Sequence, residues 1–149
     1  MKKPKVNECC GEISSRCIAS SVRQLNRVVT ALYDDVLRSV GLTMNQLNVL
    51  VFIFSHGSPT AGALVRYLQM DASTVSRTIE RMRNDGLLVV REGQDARTRE
   101  LRLSDKGEDM IVKAMPSWRK AQKQTQKLLG TFRAGAIASA VRNLRTVNV

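Results

Sequence analysis

The chain has 149 residues, 43% hydrophobic and 25% charged, a composition typical of a folded globular protein with a substantial core. Its formal net charge of +11 favours a polyanionic partner such as nucleic acid. The longest uninterrupted apolar run, residues 49–54, is far too short to span a membrane, and no apolar stretch follows the basic start as it would in a secretory signal. We therefore expect a cytoplasmic protein with no membrane partner.

The N-terminal region divides into an expected flexible tail, residues 1–10, and a dimerisation helix within residues 11–41. The helical pattern runs from Ile13 to about Val40, and Gly41 is expected to end it. Its apolar positions step alternately by four and three, the spacing that a partner helix requires. They are Ile18, Val22, Leu25, Val29, Leu32 and Val36.

Residues 42–104 are predicted to form a winged helix-turn-helix. Thr43 and Gln46 have the spacing of a capping box and open a helix that is apolar nearly all round, as expected for the middle of a core. Thr60 and Asp71 are suitable caps for two further short helices joined by a tight turn.

The second of these short helices, residues 71–86, is the predicted recognition helix. Val75, Ile79 and Met82 cluster on one side, where they would pack on the core. Hydroxyls in the first turn can bond phosphates or base edges, and arginines one turn apart can reach guanine or the DNA backbone. The candidate DNA contacts are Ser73, Thr74, Ser76, Arg77 and Arg81. Serines and arginines also decorate ordinary surface helices, so this helix alone leaves both interpretations open.

The predicted wing is a two-stranded antiparallel hairpin over residues 88–103. Alternating apolar residues on both strands give it one face on the core, and its tip, residues 92–99, is too polar to bury. Arg97 at the tip can enter a narrow minor groove, with Asp95 holding it extended and Arg99 as a further contact. The alternative for Asp95 and Arg97 is a solvated ion pair that contributes little.

Residues 105–149 are predicted to form C-terminal dimerisation helices. Ser104 caps a long helix from Asp105 to about Leu129, in which Pro116 is expected to cause a kink, and a last helix follows to about Val147. Apolar residues of the long helix again step by three and four. A row of basic residues on its opposite side is interpreted as a solvated face. This row consists of Lys113, Arg119, Lys120, Lys123 and Lys127.

The wing sequence DARTRELRLSDKG, residues 95–107, resembles the wing signature of the MarR family of transcriptional regulators. GLTMNQLNVL resembles the family's entry helix, and DASTVSRTIERMRNDGLL its recognition helix. Asp95 and Arg97 match the family's wing pair. The resemblance implies a mainly α fold with a small β wing, and a homodimer that reads a pseudo-palindrome in double-stranded DNA. It also implies DNA affinity that a small ligand or oxidation alters.

Two groups of residues are candidates for such a switch. Cys9, Cys10 and Cys17 are candidates for oxidation, with Arg16 favouring the thiolate. The alternatives are a buried Cys17 and an idle cysteine pair. A pocket for a small anionic or aromatic effector is expected near Arg23, Tyr33 and Trp118, although each is equally well explained as a packing or surface residue.

The sequence contains no constellation typical of an enzyme. Its three cysteines and single histidine match no common zinc template, and it has neither a phosphate-binding glycine loop nor a nucleophile elbow. We therefore expect no catalytic residue, metal or cofactor. The leading hypothesis is a sequence-specific DNA-binding regulator, most simply a repressor. The alternative is a non-sensing winged helix that packages nucleic acid or binds protein.

Overall fold

The structure, a computed structural model, describes residues 4–93 and 98–146. In these residues seven α-helices, one 3-10 helix and a two-stranded antiparallel sheet follow one another, which confirms the predicted mainly α class with a small β wing. The elements are α1 Pro4–Arg16, α2 Ile18–Leu37, the 3-10 helix Arg38–Val40, α3 Met44–His56, α4 Ala61–Leu68, α5 Ala72–Asn84, β1 Leu88–Glu92, β2 Arg99–Leu103, α6 Asp105–Leu129 and α7 Thr131–Thr146.

The N-terminal region differs from the expectation in two ways. Residues 4–10, expected to form a tail, belong to α1, and the helix expected from Ile13 to Val40 is interrupted at Cys17, whose ψ of 106° is extended. A helix shows apolar periodicity in its sequence when one of its faces is buried. The described side chains of α1 are exposed, and its sequence therefore lacks this pattern. Pro4 stands at its first position, where a fixed φ favours a helix start.

The four caps predicted around the winged unit are confirmed. Thr43 and Gln46 form the reciprocal capping box, with the Gln46 amide 3.2 Å from the Thr43 hydroxyl. The side chains of Thr60, Asp71 and Ser104 each accept a hydrogen bond from the amide three residues later, at 3.2, 2.8 and 3.1 Å. These local bonds satisfy helix amides that the helices themselves leave unpaired, and they fix where α3 to α6 begin.

The core is built around α3, as predicted, but one side of that helix faces outward. Leu50 and Ile53 are fully buried, whereas Val51 is 43% exposed and Phe54 is 63% exposed. The apolar faces of the surrounding helices and of the wing close over the buried side. The largest fully buried side chains outside α3 are Leu37, Leu64, Val75, Met82, Leu88 and Leu101.

The wing is held to the helices at both of its ends. Its strands pair in the register Leu88↔Leu103 and Val90↔Leu101, which turns one face to the core as predicted. The Leu101 amide donates to the Pro59 carbonyl at 2.9 Å, which ties β2 to the segment before α4. At the other end the first turn of α6 packs on the backbone of Leu87. The hairpin therefore has a fixed position relative to α4 and α6.

The chain's two ends pack together along α2 and α6. The Tyr33 hydroxyl of α2 donates to Gln122 of α6, and burial raises the pKa of Tyr33 while the Thr125 hydroxyl opposes that shift. Pro116 lies within α6, and the kink expected there stays a prediction. Within the described residues no single helix is long and apolar enough to cross a membrane. One pair bent by 78°, Ile18–Val40 with Met44–His56, meets the criterion by length and composition only.

Candidate nucleic-acid interface

Helix α5 presents one polar face to solvent, as the sequence predicts. Val75, Ile79 and Met82 are buried, and they fix the rotation of the helix about its axis. The opposite face is formed by exposed Ser73, Ser76, Arg77 and Arg81, with Thr74 half-buried at its edge. The five candidate contacts of the helix therefore lie together on one accessible surface.

The first turn of α5 is organised around the carboxylate of Asp71. The Ser73 hydroxyl donates to one of its oxygens at 2.5 Å, and the Thr74 hydroxyl donates to the other at 2.7 Å. These two bonds, and the Thr74 amide, hold the pKa of Asp71 well below its usual range. The hydroxyl protons expected to meet phosphates are therefore used within the protein, while the Ser76 hydroxyl stays exposed.

An open groove of about 400 Å³ runs between the first turn of α3 and one side of α5. Every side chain lining it is polar or basic, and none is acidic. The lining residues are Thr43, Asn45, Gln46, Thr74, Arg77, Thr78 and Arg81. Arg77 donates to the Thr74 hydroxyl at 3.3 Å. Sequence reasoning missed Asn45 and Gln46 because they come from another helix.

The arginines of α5 differ in their partners. Arg83 pairs with Glu80 at 2.6 Å on the side of the helix away from the groove. No ion pair joins Arg77 or Arg81 to another residue of the described chain. Arg81 therefore keeps its five donors available for an anion, and Arg77 keeps all but the one that bonds Thr74. The groove side of α5 is thus its electropositive side.

The described part of the wing carries one of the three predicted contacts. Arg99 is exposed at the start of β2, opposite Glu92. Asp95 and Arg97 lie outside the described residues. Beyond the paired strands, the Gly93 amide donates to the Thr98 carbonyl at 2.8 Å. Both ends of the tip therefore start from a fixed hairpin next to α5.

Comparison with known proteins shows what this interface is similar to. The MarR family matches residues 40–98, which run from the capping box of α3 through the recognition helix into the wing. Over these residues the chain is similar to the MarR family. YwoH of Bacillus subtilis, an uncharacterised HTH-type transcriptional regulator, is 29% identical over 94 residues, which cover 63% of this chain and 69% of YwoH.

Solved structures of MarR-family proteins share its fold over most of the chain. M. tuberculosis MosR in complex with DNA is 29% identical, with 90% of this chain and all of MosR covered and a TM-score of 0.74. A cysteine-to-serine mutant of E. coli MarR with operator DNA is 16% identical, with 89% and 96% covered and a TM-score of 0.77. The second likeness supports the fold alone.

The candidate switch residues differ in how exposed they are to solvent. Cys9 and Cys10 are exposed, and Cys17 is half-buried at the break between α1 and α2. Arg23 is exposed, Tyr33 is buried, and Trp118 packs partly buried against the core. The redox switch and a ligand site at Arg23, Tyr33 and Trp118 stay predictions. No group of three His, Cys, Asp or Glu side chains that could hold a metal ion occurs in residues 4–93 and 98–146.

An open pocket of about 520 Å³, with mixed polar and apolar lining, lies between α2 and the winged unit. From α2 it is lined by Asn26, Arg27, Thr30, Ala31 and Asp34, and from the other side by Asn45, Leu68, Gln69 and Met70. Sequence reasoning missed this pocket, although Asn26, Thr30 and Asp34 step by four along α2 and so share one side of it. The pocket connects the helix of the chain's N-terminal half with the turn that precedes α5.

Proposed function

We propose that this protein is a homodimeric repressor that binds a pseudo-palindromic DNA operator. Each subunit would insert α5 into a major groove and its wing into the adjacent minor groove. The observation that carries the proposal is the exposed polar face of α5 beside the hairpin of β1 and β2, with no ion pair to Arg77 or Arg81 within the described residues. The structure of MosR with DNA supports it, since that protein is similar over nearly the whole chain. A dimer bound at a promoter would exclude other proteins from it.

Apolar surface at the two ends of the chain supports the homodimer. An open groove of about 380 Å³ runs along α2, α6 and α7, with mostly apolar lining. Ile18 is 78% exposed and Val22 is 59% exposed in the single subunit, on the seam predicted for a partner helix. Contiguous apolar surface of this kind marks an interaction site. Two-fold pairing would set the two recognition helices roughly 34–36 Å apart, one turn of DNA.

We further propose that a small ligand or cysteine oxidation modulates DNA affinity. The open pocket between α2 and the winged unit supports the first route, because a ligand there would contact elements on both sides of any hinge between them. Arg27 in its lining can pair with an anionic ligand. A structure of Bordetella bronchiseptica BpsR, 21% identical, concerns regulation of its DNA binding by 6-hydroxynicotinic acid. Exposed Cys9 and Cys10 support the second route.

One selection experiment tests the function as a whole. Duplexes bound by the protein are selected from a random pool, once in reductant and once in oxidant, and dissociation constants are then measured for the selected and a scrambled duplex. The proposal requires an enriched inverted repeat and much tighter binding of the selected duplex. Equal binding of both duplexes would instead favour the non-sensing packaging or protein-binding module. Identical results in oxidant and reductant would remove the redox route.

Arg97→Ala tests the wing within the same assay. The variant should bind the selected duplex substantially more weakly while the dimer stays folded, because it removes the guanidinium expected in the minor groove. Arg38→Ala is the matched control, since Arg38 lies in the 3-10 helix and pairs with Asp35. Equal affinity of Arg97→Ala and wild type would rule out the wing contact.

A further inference from the structure

The groove between α3 and α5 has the chemistry of a site for a phosphate group. It is lined by two guanidinium groups, hydroxyls and amides, with no carboxylate among its lining residues. Asn45 in the first turn of α3 is exposed, and its side chain makes no hydrogen bond within the described residues. It lies across the groove from Arg81 of α5. Guanidinium and amide groups facing each other across an open groove suit an anion with several acceptor oxygens.

We propose that this groove seats one phosphate of the DNA backbone, held by Arg81 and Asn45 with Arg77 at its edge. The proposal rests on the proposed DNA-binding function and deepens it, because it divides the contacts of α5 into two classes. Arg81 and Asn45 position the protein on the duplex and carry no sequence preference. Base preference then falls to the outer face of α5, where Ser73 and Ser76 lie.

The position of Arg81 on α5 supports this division. Thr74, Thr78 and Arg81 lie on the side of the helix that turns towards α3, whereas Ser73, Ser76 and Glu80 lie on the side that faces away from it. A recognition helix in the major groove points the centre of its exposed face at the bases and its flanks at the groove walls, which are phosphates. Asn45 belongs to a different helix from Arg81 and would lie further from the bases. It would therefore meet the same phosphate wall of the DNA major groove as Arg81.

The test compares two duplexes at several salt concentrations. Dissociation constants for wild type, Arg81→Ala and Asn45→Ala are measured on the selected operator and on a scrambled duplex. Arg81→Ala should weaken both by a similar factor, about ten-fold, and lower the slope of log affinity against log salt by about two, because the proposed dimer loses one arginine in each subunit. Asn45→Ala should weaken both by about three-fold and leave the slope unchanged, because an amide carries no charge.

Two further variants separate the site from general charge effects. Arg38→Ala removes the same charge outside the groove and should change neither affinity nor slope appreciably. Arg81→Lys keeps the charge but loses the bidentate fork, so it should retain the slope while binding both duplexes more weakly than wild type. A loss confined to the operator in Arg81→Ala would assign Arg81 to a base and overturn the phosphate site. Unchanged binding in Arg81→Ala would overturn it as well.

A final arm distinguishes a backbone phosphate from a free anion. Inorganic phosphate is titrated into the protein without DNA by calorimetry. Weak or absent binding supports the DNA assignment, whereas micromolar binding that Arg81→Ala abolishes would assign the groove to a soluble anionic ligand instead. If wild type shows no preference for the operator, the proposed regulator function fails. The phosphate site is then still decided by the loss on scrambled DNA.

Discussion

Gly107 in the first turn of α6 leaves no space for a side chain. A β-carbon at this position would lie 2.1 Å from the Leu87 carbonyl oxygen and 3.1 Å from the Leu87 carbonyl carbon. Leu87 directly precedes the wing, and the Ser104 amide donates to the same oxygen at 3.2 Å. Gly107→Ala therefore forces α6 away from the wing by about 1.3 Å, the distance needed to reach ordinary contact at 3.4 Å.

Two opposing effects decide the size of the change. Alanine favours a helix over glycine by at most about 1 kcal/mol. Overpacking of a well-packed site costs about 1–3 kcal/mol, and weakening of the Ser104 bond adds about 0.5–1.5 kcal/mol. The steric effect is the larger one, so Gly107→Ala should lower the free energy of unfolding by about 2 kcal/mol. For a protein of this size that lowers the Tm by roughly 4–8 °C.

Thermal and urea unfolding followed by circular dichroism, at one protein concentration, measures this difference. Gly62→Ala is the matched control, because Gly62 also lies in the first turn of a helix and its β-carbon would meet only ordinary contacts at 3.8 and 3.9 Å. That variant should be as stable as wild type or slightly more stable. If Gly107→Ala proved as stable as Gly62→Ala, the close packing of α6 on Leu87 would be refuted.

Three further results are expected. Because the pKa of Asp71 is lowered in the folded state, Asp71→Ala should be less stable than wild type at pH 7. In urea titrations the difference in free energy of unfolding between the two proteins should shrink as pH falls below about 4. A difference that does not change with pH would contradict this. Because burial raises the pKa of Tyr33, the stability that this side chain contributes is complete below about pH 10 and is lost as pH rises further. The Tm of Tyr33→Phe should therefore depend less on alkaline pH than the Tm of wild type. Identical alkaline profiles would count against that burial. Val22→Asp should convert dimer to monomer in light scattering, since Val22 lies in the exposed seam of α2, and an intact dimer would exclude that seam from the interface.

The caps and the wing register were predictable because they depend on short-range chemistry. A capping side chain bonds an amide three residues later, so a helix start can be recognised from a few consecutive residues. The caps that show this are Thr43, Thr60, Asp71 and Ser104. The side-chain period of two limits the register of the wing, because a slip by one residue would turn Leu88 and the other apolar residues away from the core. Local rules therefore recovered most of the winged unit.

The remaining features depend on distant parts of the chain. Gly107 is recognisable in the sequence as part of the wing signature. The reason that a glycine is needed there is the close approach of the Leu87 carbonyl, twenty residues earlier in the chain. Asn45 enters the interface only because α3 packs beside α5. Phe54 looked buried by composition, yet it lies on the one side of α3 that the other helices leave open. Spacing within one element carries no information about which neighbour will cover it.

The position of Asp71 shows why attraction of DNA to α5 depends on where the arginines lie rather than on the net charge of the surrounding sequence. Residues 71–106 contain eight basic and seven acidic residues, so they attract DNA only if those charges are separated in space. The Asp71 carboxylate, which is ionised at neutral pH, occupies the helix end where a phosphate would otherwise bind. Glu80 is paired with Arg83 on the side away from the groove. Favourable charge is thereby concentrated on the side facing α3, where Arg77 and Arg81 pair with no acid of the described residues. The DNA backbone is expected to approach α5 from that side.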